Sequence, residues 1–211
     1  PVGAELDLKI ASAAERFRRA GRRVYSWDRD RVKPLAAVSY LMCLVEILEQ
    51  SSASGFVPDA VYLSSAGSTG SGVVIAGRAL GLSFPVRNIC PIRWEWDTRE
   101  DMARIANQAA GLVGIDVSVE PNEIDLTFDY IGPGYGRVSP GALEAIALLA
   151  RTEGILLDPI YSGKAMAGLI DHIRHGRFRK DDQVVFIHTG GTPALFAYHR
   201  DLVEGIAPRT L

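Results

Sequence analysis

The stretch VVFIHTGGTPALFAY, residues Val184 to Tyr198, decides the fold of this chain. It opens with an apolar, mostly β-branched run, which is typical of a buried strand. Two glycines end that run, Thr192 then offers a helix N-cap, and Pro193 suits the first position of a helix. A strand, a glycine turn and a helix start together predict backbone amides that face an anionic ligand. A tight turn without any ligand fits the same pattern equally well.

A comparable turn follows the apolar run Val61 to Leu63. The residues Ser64 to Gly72 read SSAGSTGSG, and a helix-like stretch, Val73 to Leu82, comes after them. Glycines allow close backbone approach, hydroxyls donate hydrogen bonds, and a helix N-terminus favours negative charge. The pattern therefore predicts a phosphate cradle, with a ligand-free turn as the alternative. It is not a Walker loop, because no lysine follows in the required place.

Strand-like and helix-like stretches alternate along the rest of the chain. Helices are predicted at 4–20, from Pro34 to about 48, and at 98–112, 140–153 and 163–175; strands are predicted at 23–27, 61–63, 86–92, 124–130 and 184–188. Asp28 to Lys33 is interpreted as a charged loop. The alternation predicts an α/β fold, with a mostly parallel twisted sheet and helices on both of its faces.

The composition is that of an ordinary globular protein. The 211 residues are 47% hydrophobic and 23% charged, with a formal net charge of -2, so neither nucleic acid nor a membrane is expected as a partner. No apolar run approaches the roughly 20 residues of a membrane helix. Pro1 to Leu8 does not resemble a signal peptide, so a cytoplasmic protein is expected. Cys43 and Cys90 are interpreted as buried thiols rather than a disulfide or a metal pair.

Four separated motifs occur in the order found in one enzyme family. They are Gly67-Ser68-Thr69-x-x-Gly72, Gly132-Pro133-Gly134-Tyr135-Gly136, the segment Arg151 to Met166 with its Asp158-Pro159-Ile160-Tyr161-Ser162-Gly163-Lys164 core, and His188-Thr189-Gly190-Gly191. From about Ala36 to Tyr198 the chain resembles the 1-aminocyclopropane-1-carboxylate (ACC) deaminase / D-cysteine desulfhydrase family. The resemblance implies the larger domain of a fold-type-II enzyme, of the tryptophan-synthase-β fold, with pyridoxal 5′-phosphate as cofactor.

The resemblance also assigns roles to individual residues. Tyr135 and Tyr161 match the family's active-site tyrosines and are the expected catalytic residues. The expected cofactor-binding residues are Ser65, Ala66, Gly67, Ser68 and Thr69 around the phosphate, with Ser162, Thr189 and Gly190 around the pyridine ring. His188 is interpreted as a satisfied core histidine rather than a base, Asp158 as a structural group, and Lys164 as a lysine that does not bind the cofactor. No metal site is expected.

Two positions distinguish the branches of the family. ACC deaminases carry a glutamate after the second tyrosine and a leucine before the paired glycines, whereas this chain has Ser162 and Thr189. A carboxylate keeps the ring nitrogen protonated and makes a strong electron sink, while a hydroxyl leaves a weaker one. β-Elimination from a small D- or β-substituted amino acid, giving keto acid and ammonia, is therefore favoured over cyclopropane opening.

The chain departs from the family pattern in two ways. The family's Schiff-base lysine motif is absent, and Ala36, Ala37 and Ser39 replace glycines near the expected substrate site, which leaves the substrate open. Residues 1–30 are interpreted as a remnant of the smaller domain, and residues 31–211 as the larger, cofactor-binding domain. Three explanations stay open: a split or cleaved enzyme whose second polypeptide carries the lysine, a truncated chain, or a non-catalytic binding relative. The resemblance implies a homodimeric assembly.

Overall fold

The computed structural model describes residues 4–206. Its elements follow one another along the chain as α1 (Ala4–Arg19), α2 (Arg29–Ala53), β1 (Ala60–Ser64), α3 (Ser68–Ala79), β2 (Val86–Ile89), α4 (Thr98–Val113), a 3-10 turn (Pro121–Glu123), β3 (Leu126–Thr127), α5 (Pro140–Thr152), α6 (Ser162–Arg174), β4 (Val184–Ile187), α7 (Ala194–Ala197) and α8 (His199–Ile206). Strands and helices alternate from β1 to β4, as the sequence pattern predicts.

The four strands form one parallel sheet in the order β3-β2-β1-β4. β1 lies inside the sheet, and all five of its residues are buried. The run Val184–Ile187 (β4) pairs with β1, although β3 is nearer to it in the sequence. In this pairing Leu63 lies opposite Ile187. This arrangement confirms the predicted α/β class with a parallel sheet.

Helices cover both faces of the sheet. Successive side chains of β1 point to opposite faces, so this strand contributes to the hydrophobic core on each side. Val61 and Leu63 pack into one core with residues of α2, α3 and α4. Ala60 and Tyr62 pack into a second core with residues of α5 and α6. Full burial of one such aliphatic side chain stabilises the fold by about 1.5–3 kcal/mol. The two cores together hold the sheet in place, and with it the loops that leave its carboxyl edge.

The close approach of α2 and α3 requires a glycine. A Cβ atom at Gly72 would lie 2.1 Å from the carbonyl oxygen of Ala37 and 2.9 Å from the amide nitrogen of Leu41. Both of those atoms belong to the α2 backbone, which has no freedom to move aside. Gly72 of the SSAGSTGSG segment is therefore explained by helix packing rather than by ligand binding.

Several predicted boundaries are wrong. Residues 23–27 form no strand, and the charged segment after them is helical, because Asp28 caps α2 by accepting a hydrogen bond from the Arg31 amide at 3.3 Å. The third predicted strand ends at Ile89. The fourth shrinks to Leu126–Thr127. In these last two cases the chain leaves the sheet earlier than its apolar pattern suggests.

Both cysteines are free thiols; Cys90 is buried, as predicted, whereas Cys43 is only half-buried. None of the helices within residues 4–206 combines the length and apolar character that crossing a bilayer requires. The division into residues 1–30 and 31–211 stays a prediction; its outermost residues, 1–3 and 207–211, lie outside the described part of the chain.

Candidate active site

The loop between β1 and α3 is held in shape by the hydroxyl group of Ser65. This hydroxyl accepts a hydrogen bond from the Gly70 amide at 2.8 Å and one from the Gly67 amide at 3.3 Å. It donates its own proton to the Gly67 carbonyl oxygen at 3.2 Å. Ser65 thus shapes the predicted phosphate loop from inside, and its proton is not directed towards a ligand.

This loop forms one wall of a cleft of about 260 Å³ at the carboxyl end of β1. Ligands of open α/β sheets bind at this edge. The cleft is lined by Ser64, Ser65, Ala66, Gly67, Ser68, Thr69, Pro91, Ile92, Trp94, Tyr135 and Tyr161. All five residues of the predicted phosphate loop and both predicted tyrosines therefore meet at one place, and none of these lining side chains is charged.

The donors at the cleft fit a phosphate group. Ser68 and Thr69 begin α3, so their amides have no partner inside the helix, and no acceptor for their amides or hydroxyls is found within residues 4–206. The buried Ser64 hydroxyl, which lines the same cleft, also has no partner among the described residues. Unpaired donors at a helix N-terminus with no acidic neighbour in the lining suit an anion.

The two predicted tyrosines form a pair at the mouth of this cleft. The hydroxyls of Tyr135 and Tyr161 lie 2.5 Å apart, and the two rings meet edge to face at a centroid distance of 6.1 Å. Burial, and next the hydrogen bond from Tyr135, raise the pKa of Tyr161 well above its ordinary value. The Tyr161 phenol therefore stays protonated at neutral pH, so it can hold or pass a proton through its hydrogen bond with Tyr135.

Asp158 organises the chain around Tyr161. Its fully buried carboxylate accepts hydrogen bonds from the amides of Ile160, Tyr161 and Ser162 at 2.7–2.8 Å, and from the Ser162 hydroxyl at 2.6 Å. Four donors on one carboxyl group just before a helix give that group a structural task, which is to fix the start of α6. The interpretation of Asp158 as a structural group agrees with this geometry.

The second glycine of the HTGG motif, Gly191, lies against the same carboxylate. A Cβ atom at Gly191 would approach Asp158 Cγ to 2.6 Å, so the motif packs closely on Asp158. His188 uses both ring nitrogens: Nε2 lies 2.9 Å from the Leu156 carbonyl oxygen, and Nδ1 accepts from the Gly190 amide at 3.2 Å. His188 is therefore hydrogen-bonded at both nitrogens, as predicted, but its interpretation as a core histidine is wrong, because the side chain is exposed at the end of β4.

The residues predicted around the pyridine ring do not line the cleft itself. The Ser162 hydroxyl gives its proton to Asp158 at 2.6 Å and accepts from the Asp158 amide at 2.8 Å. It would have to rotate before it could donate to a ring nitrogen. Thr189 and Gly190 are half-buried. The assignment of these three residues to the cofactor stays a prediction.

Lys164 is fully buried and reaches the tyrosine loop from helix α6. Its ammonium group donates to the Gly134 carbonyl oxygen at 2.9 Å. Burial lowers the pKa of Lys164, and the nearby Asp158 carboxylate acts in the opposite direction. This lysine therefore has a partner in the protein and does not line the cleft.

Trp94 is a residue of the cleft that the sequence patterns do not identify. Its indole N–H donates to the Ala66 carbonyl oxygen at 3.1 Å, and its ring stacks on Trp96 at a centroid distance of 4.9 Å. The signal that could have found it is its place shortly after β2, because loops at the carboxyl edge of a parallel sheet line its crevice.

Comparison with known proteins agrees with this architecture. The sequence profile of the family described as pyridoxal-phosphate dependent enzyme matches residues 11–190. The chain belongs to this family. Membership confirms the predicted family, and with it the cofactor, pyridoxal 5′-phosphate, on which pyridoxal-phosphate dependent enzymes rely.

Individual relatives of this pyridoxal-phosphate dependent chain are longer than it is. It is 41% identical over 196 residues to a D-cysteine desulfhydrase of Serratia proteamaculans, covering 90% of this chain and 57% of that protein. It is 37% identical over 193 residues to a D-cysteine desulfhydrase of Yersinia enterocolitica, covering 92% and 58%. A crystal structure of an ACC deaminase homologue superimposes with a TM-score of 0.82 at 28% identity, covering 97% of this chain and 61% of that one. The chain thus spans less than two thirds of each.

Proposed function

We propose that this chain is the cofactor-binding portion of a pyridoxal-phosphate dependent lyase of the D-cysteine desulfhydrase type. Its reaction is β-elimination from a small D- or β-substituted amino acid: the β-substituent leaves with its bonding electron pair, and water hydrolyses the remaining enamine to a keto acid and ammonia. The observation that carries the proposal is the hydrogen-bonded tyrosine pair, Tyr135 and Tyr161, which lines the same cleft as the β1–α3 loop. The relatives named D-cysteine desulfhydrase, at 37–41% identity, support the same reaction class.

Each part of the cleft has a task in this proposal. The amides and hydroxyls of Ser68 and Thr69, with the Ser64 hydroxyl, hold the cofactor's phosphate. Pyridoxal phosphate, when bound, supplies an electron sink next to the substrate Cα. Tyr135 and Tyr161 flank the substrate and pass a proton to or from it through the hydrogen bond between their hydroxyls. Trp94 closes one side of the cleft with an apolar ring.

The cofactor-binding lysine is proposed to come from outside this sequence. Within the described residues no lysine lines the cleft: Lys9 and Lys180 are exposed, Lys33 is paired with Asp101 at 2.8 Å, and Lys164 is committed to Gly134. A second polypeptide, or a further part of the same protein, would supply the lysine. The assembly as a whole is proposed to be a cytoplasmic homodimer, and two free cysteines support a reducing compartment.

Ring opening of ACC is the second candidate reaction, and the structural likeness to an ACC deaminase homologue speaks for it. Ser162 and Thr189 speak against it. Neither side chain can act as the carboxylate that would keep the pyridine nitrogen protonated, and a weaker electron sink suits loss of a β-substituent better than opening of a carbon ring.

A non-catalytic binding protein is the third candidate, and it predicts cofactor uptake without turnover.

An intact-mass spectrum of the protein from its native source, taken after borohydride reduction, tests the source of the lysine. Reduction makes the link between cofactor and lysine permanent. A labelled second polypeptide, or a labelled longer form of this chain, would support the proposal. Label on one of the four lysines within residues 1–211 would contradict it. Absence of any label would favour the non-catalytic alternative.

Turnover tests the tyrosine pair. Ammonia release is measured with D-cysteine, L-cysteine and ACC, using the native protein with any polypeptide that copurifies. Tyr161→Phe should cut kcat by about 10²–10⁴-fold, the range of general acid–base contributions, while bound cofactor, followed by its absorbance, is retained. Tyr130→Phe is the matched control, because Tyr130 bonds Asp171 in the α6 core and does not line the cleft. Unchanged kcat in Tyr161→Phe would remove the pair from the mechanism.

A further inference from the structure

The loop that carries Tyr135 has little structure of its own. Gly132, Gly134 and Gly136 all have positive φ angles, and the loop contains no helix or strand. Glycine backbones lose more conformational freedom on ordering than any others. The loop therefore needs anchors from outside to keep the Tyr135 phenol at one position.

Two such anchors come from distant parts of the chain. Tyr198 donates to the Gly136 carbonyl oxygen at 2.8 Å, on the far side of Tyr135. Lys164 donates to the Gly134 carbonyl oxygen at 2.9 Å, on the near side. The residue between these two anchored carbonyls is Tyr135 itself, so its backbone is fixed at both ends.

Lys164 differs from Tyr198 in that it is fully buried and carries a charge. Burying an ammonium group is costly unless it is paired, and an apolar side chain of similar volume would fill the same space without that cost. Packing alone therefore gives no reason for a lysine here. An apolar residue could not donate a hydrogen bond to the Gly134 carbonyl oxygen of the tyrosine loop, which lies 30 residues earlier in the sequence.

The phenol of Tyr161 is held in place by the segment from Asp158 to Lys164. Tyr161 immediately precedes α6, and its amide donates to Asp158 Oδ2 at 2.8 Å. Lys164 lies in the first turn of α6, so the element that fixes Tyr161 also carries the ammonium group that fixes Tyr135. Asp158 supplies the nearby opposite charge that helps to keep Lys164 protonated.

We propose that Lys164 is a positioning residue that sets the distance between the two active-site phenols by tying the Tyr135 loop to the start of α6. The proposal deepens, and for its catalytic meaning rests on, the proposed function of the tyrosine pair. Lys164 touches neither the cleft nor a reacting atom in this proposal. It acts through Tyr135, and the Asp158 segment acts through Tyr161.

The hydrogen bond between the phenols can be observed without cofactor or substrate. The full protein is labelled with [13Cζ]tyrosine, and the signals of Tyr135 and Tyr161 are assigned with Tyr135→Phe and Tyr161→Phe. The signal of Tyr135 in Tyr161→Phe defines its chemical shift when the partner hydroxyl is missing. In Lys164→Met, which removes the ammonium group at similar side-chain length, the Tyr135 signal should move to that same position.

A matched core variant separates positioning from general loosening. Leu169→Ala opens a cavity on the same helix, in the core and without contact to Gly134, and should leave the Tyr135 signal where it is in the wild type. If Lys164→Met does not fold, Lys164→Gln takes its place with the same expectation, because its shorter side chain does not reach the carbonyl.

Two outcomes would overturn the proposal. One is a Tyr135 signal that stays at its wild-type position in the folded Lys164 variant while Tyr161→Phe moves it. The other is an equal displacement in Leu169→Ala. Neither outcome depends on turnover, so a failure of the proposed reaction, seen as unchanged kcat in Tyr161→Phe, would be recognised separately.

Discussion

Adjacent glycines in the HTGG motif offer a controlled test of how tightly this motif packs on Asp158. Gly190 has a φ of +99° and Gly191 a φ of +93°, so alanine at either position is strained to a similar degree. Such strain costs of the order of 1–3 kcal/mol. The surroundings differ: a Cβ atom at Gly190 meets nothing within 4 Å, whereas one at Gly191 would lie 2.6 Å from Asp158 Cγ and 2.7 Å from its Oδ1.

Asp158 is poorly able to move out of the way. Its carboxylate is buried and holds the start of α6 through four hydrogen bonds. Hydrogen bonds to a charged group are worth about 1.5–3 kcal/mol each, and forced overpacking costs about 1–3 kcal/mol. Gly191→Ala should therefore lower the free energy of unfolding by about 2–6 kcal/mol, and Gly190→Ala by about 1–3 kcal/mol.

Urea unfolding followed by far-UV circular dichroism measures both variants against the wild type, with the denaturant slope checked for a shared two-state transition. The quantity of interest is the difference between the two variants, in which the common backbone strain cancels. A difference of at least about 1 kcal/mol is expected from the overpacking range. Equal losses, or a larger loss in Gly190→Ala, would refute the close packing of Gly191 on Asp158.

Three further predictions concern the phosphate loop and the buried ionisable groups. Ser65→Ala leaves the buried Gly70 amide without its acceptor, so it should cost about 1–3 kcal/mol in urea unfolding and weaken inorganic phosphate binding followed by 31P NMR. Burial raises the pKa of Tyr62 to about 12, so the stability it contributes is complete below pH 10 and is lost by pH 12; roughly 3 kcal/mol should disappear over that window, and Tyr62→Phe should flatten the loss. Burial lowers the pKa of His172, whose Nδ1 lies 2.6 Å from the Tyr62 hydroxyl, so stability should fall as pH drops below about 6.5, and less steeply in His172→Asn.

Much of the fold follows from local patterns. α4 and α5 match their predicted ranges closely, because Asp97 and Ser139 cap them through their own side chains and Gly114 ends α4 with a positive φ. The strands were harder to delimit, since a strand ends where its neighbour ends. β2 stops at Ile89 beside a β3 of only two residues, and no pattern within 86–92 records the length of a partner.

The start of α2 was missed for a different reason. Proline favours the first position of a helix, which placed the predicted start at Pro34. The helix begins instead at Arg29, because Asp28 is a sufficient N-cap and the charged residues after it form good first turns. Two valid start signals competed, and only the packing of the first turns against α4, through the Lys33–Asp101 ion pair, decides between them.

The sequence predicted which residues meet at the site better than it predicted how their hydrogen bonds are arranged. The motifs brought Ser65 to Thr69 together with Tyr135 and Tyr161, and the structure gathers these residues around one cleft. The direction in which each hydroxyl donates could not be predicted. Ser65 donates to the Gly67 carbonyl oxygen and Ser162 donates to the Asp158 carboxylate, so neither is directed towards a ligand. Such choices depend on three-dimensional neighbours that residue type and spacing do not encode.

The pairing of β1 with β4 has a consequence for the order of events during synthesis. Asp59, just before β1, accepts a hydrogen bond from the Gln183 amide at 2.7 Å, across 124 residues of chain. Contacts of such long sequence separation form late, because loop closure must be completed before they stabilise anything. While the ribosome is still adding α5 and α6, β1 has no partner on its β4 side. In the nascent chain, the β4-facing edge of β1 therefore stays unpaired until residue 187 has left the ribosome. Until then that edge is open to chaperones or to a neighbouring chain.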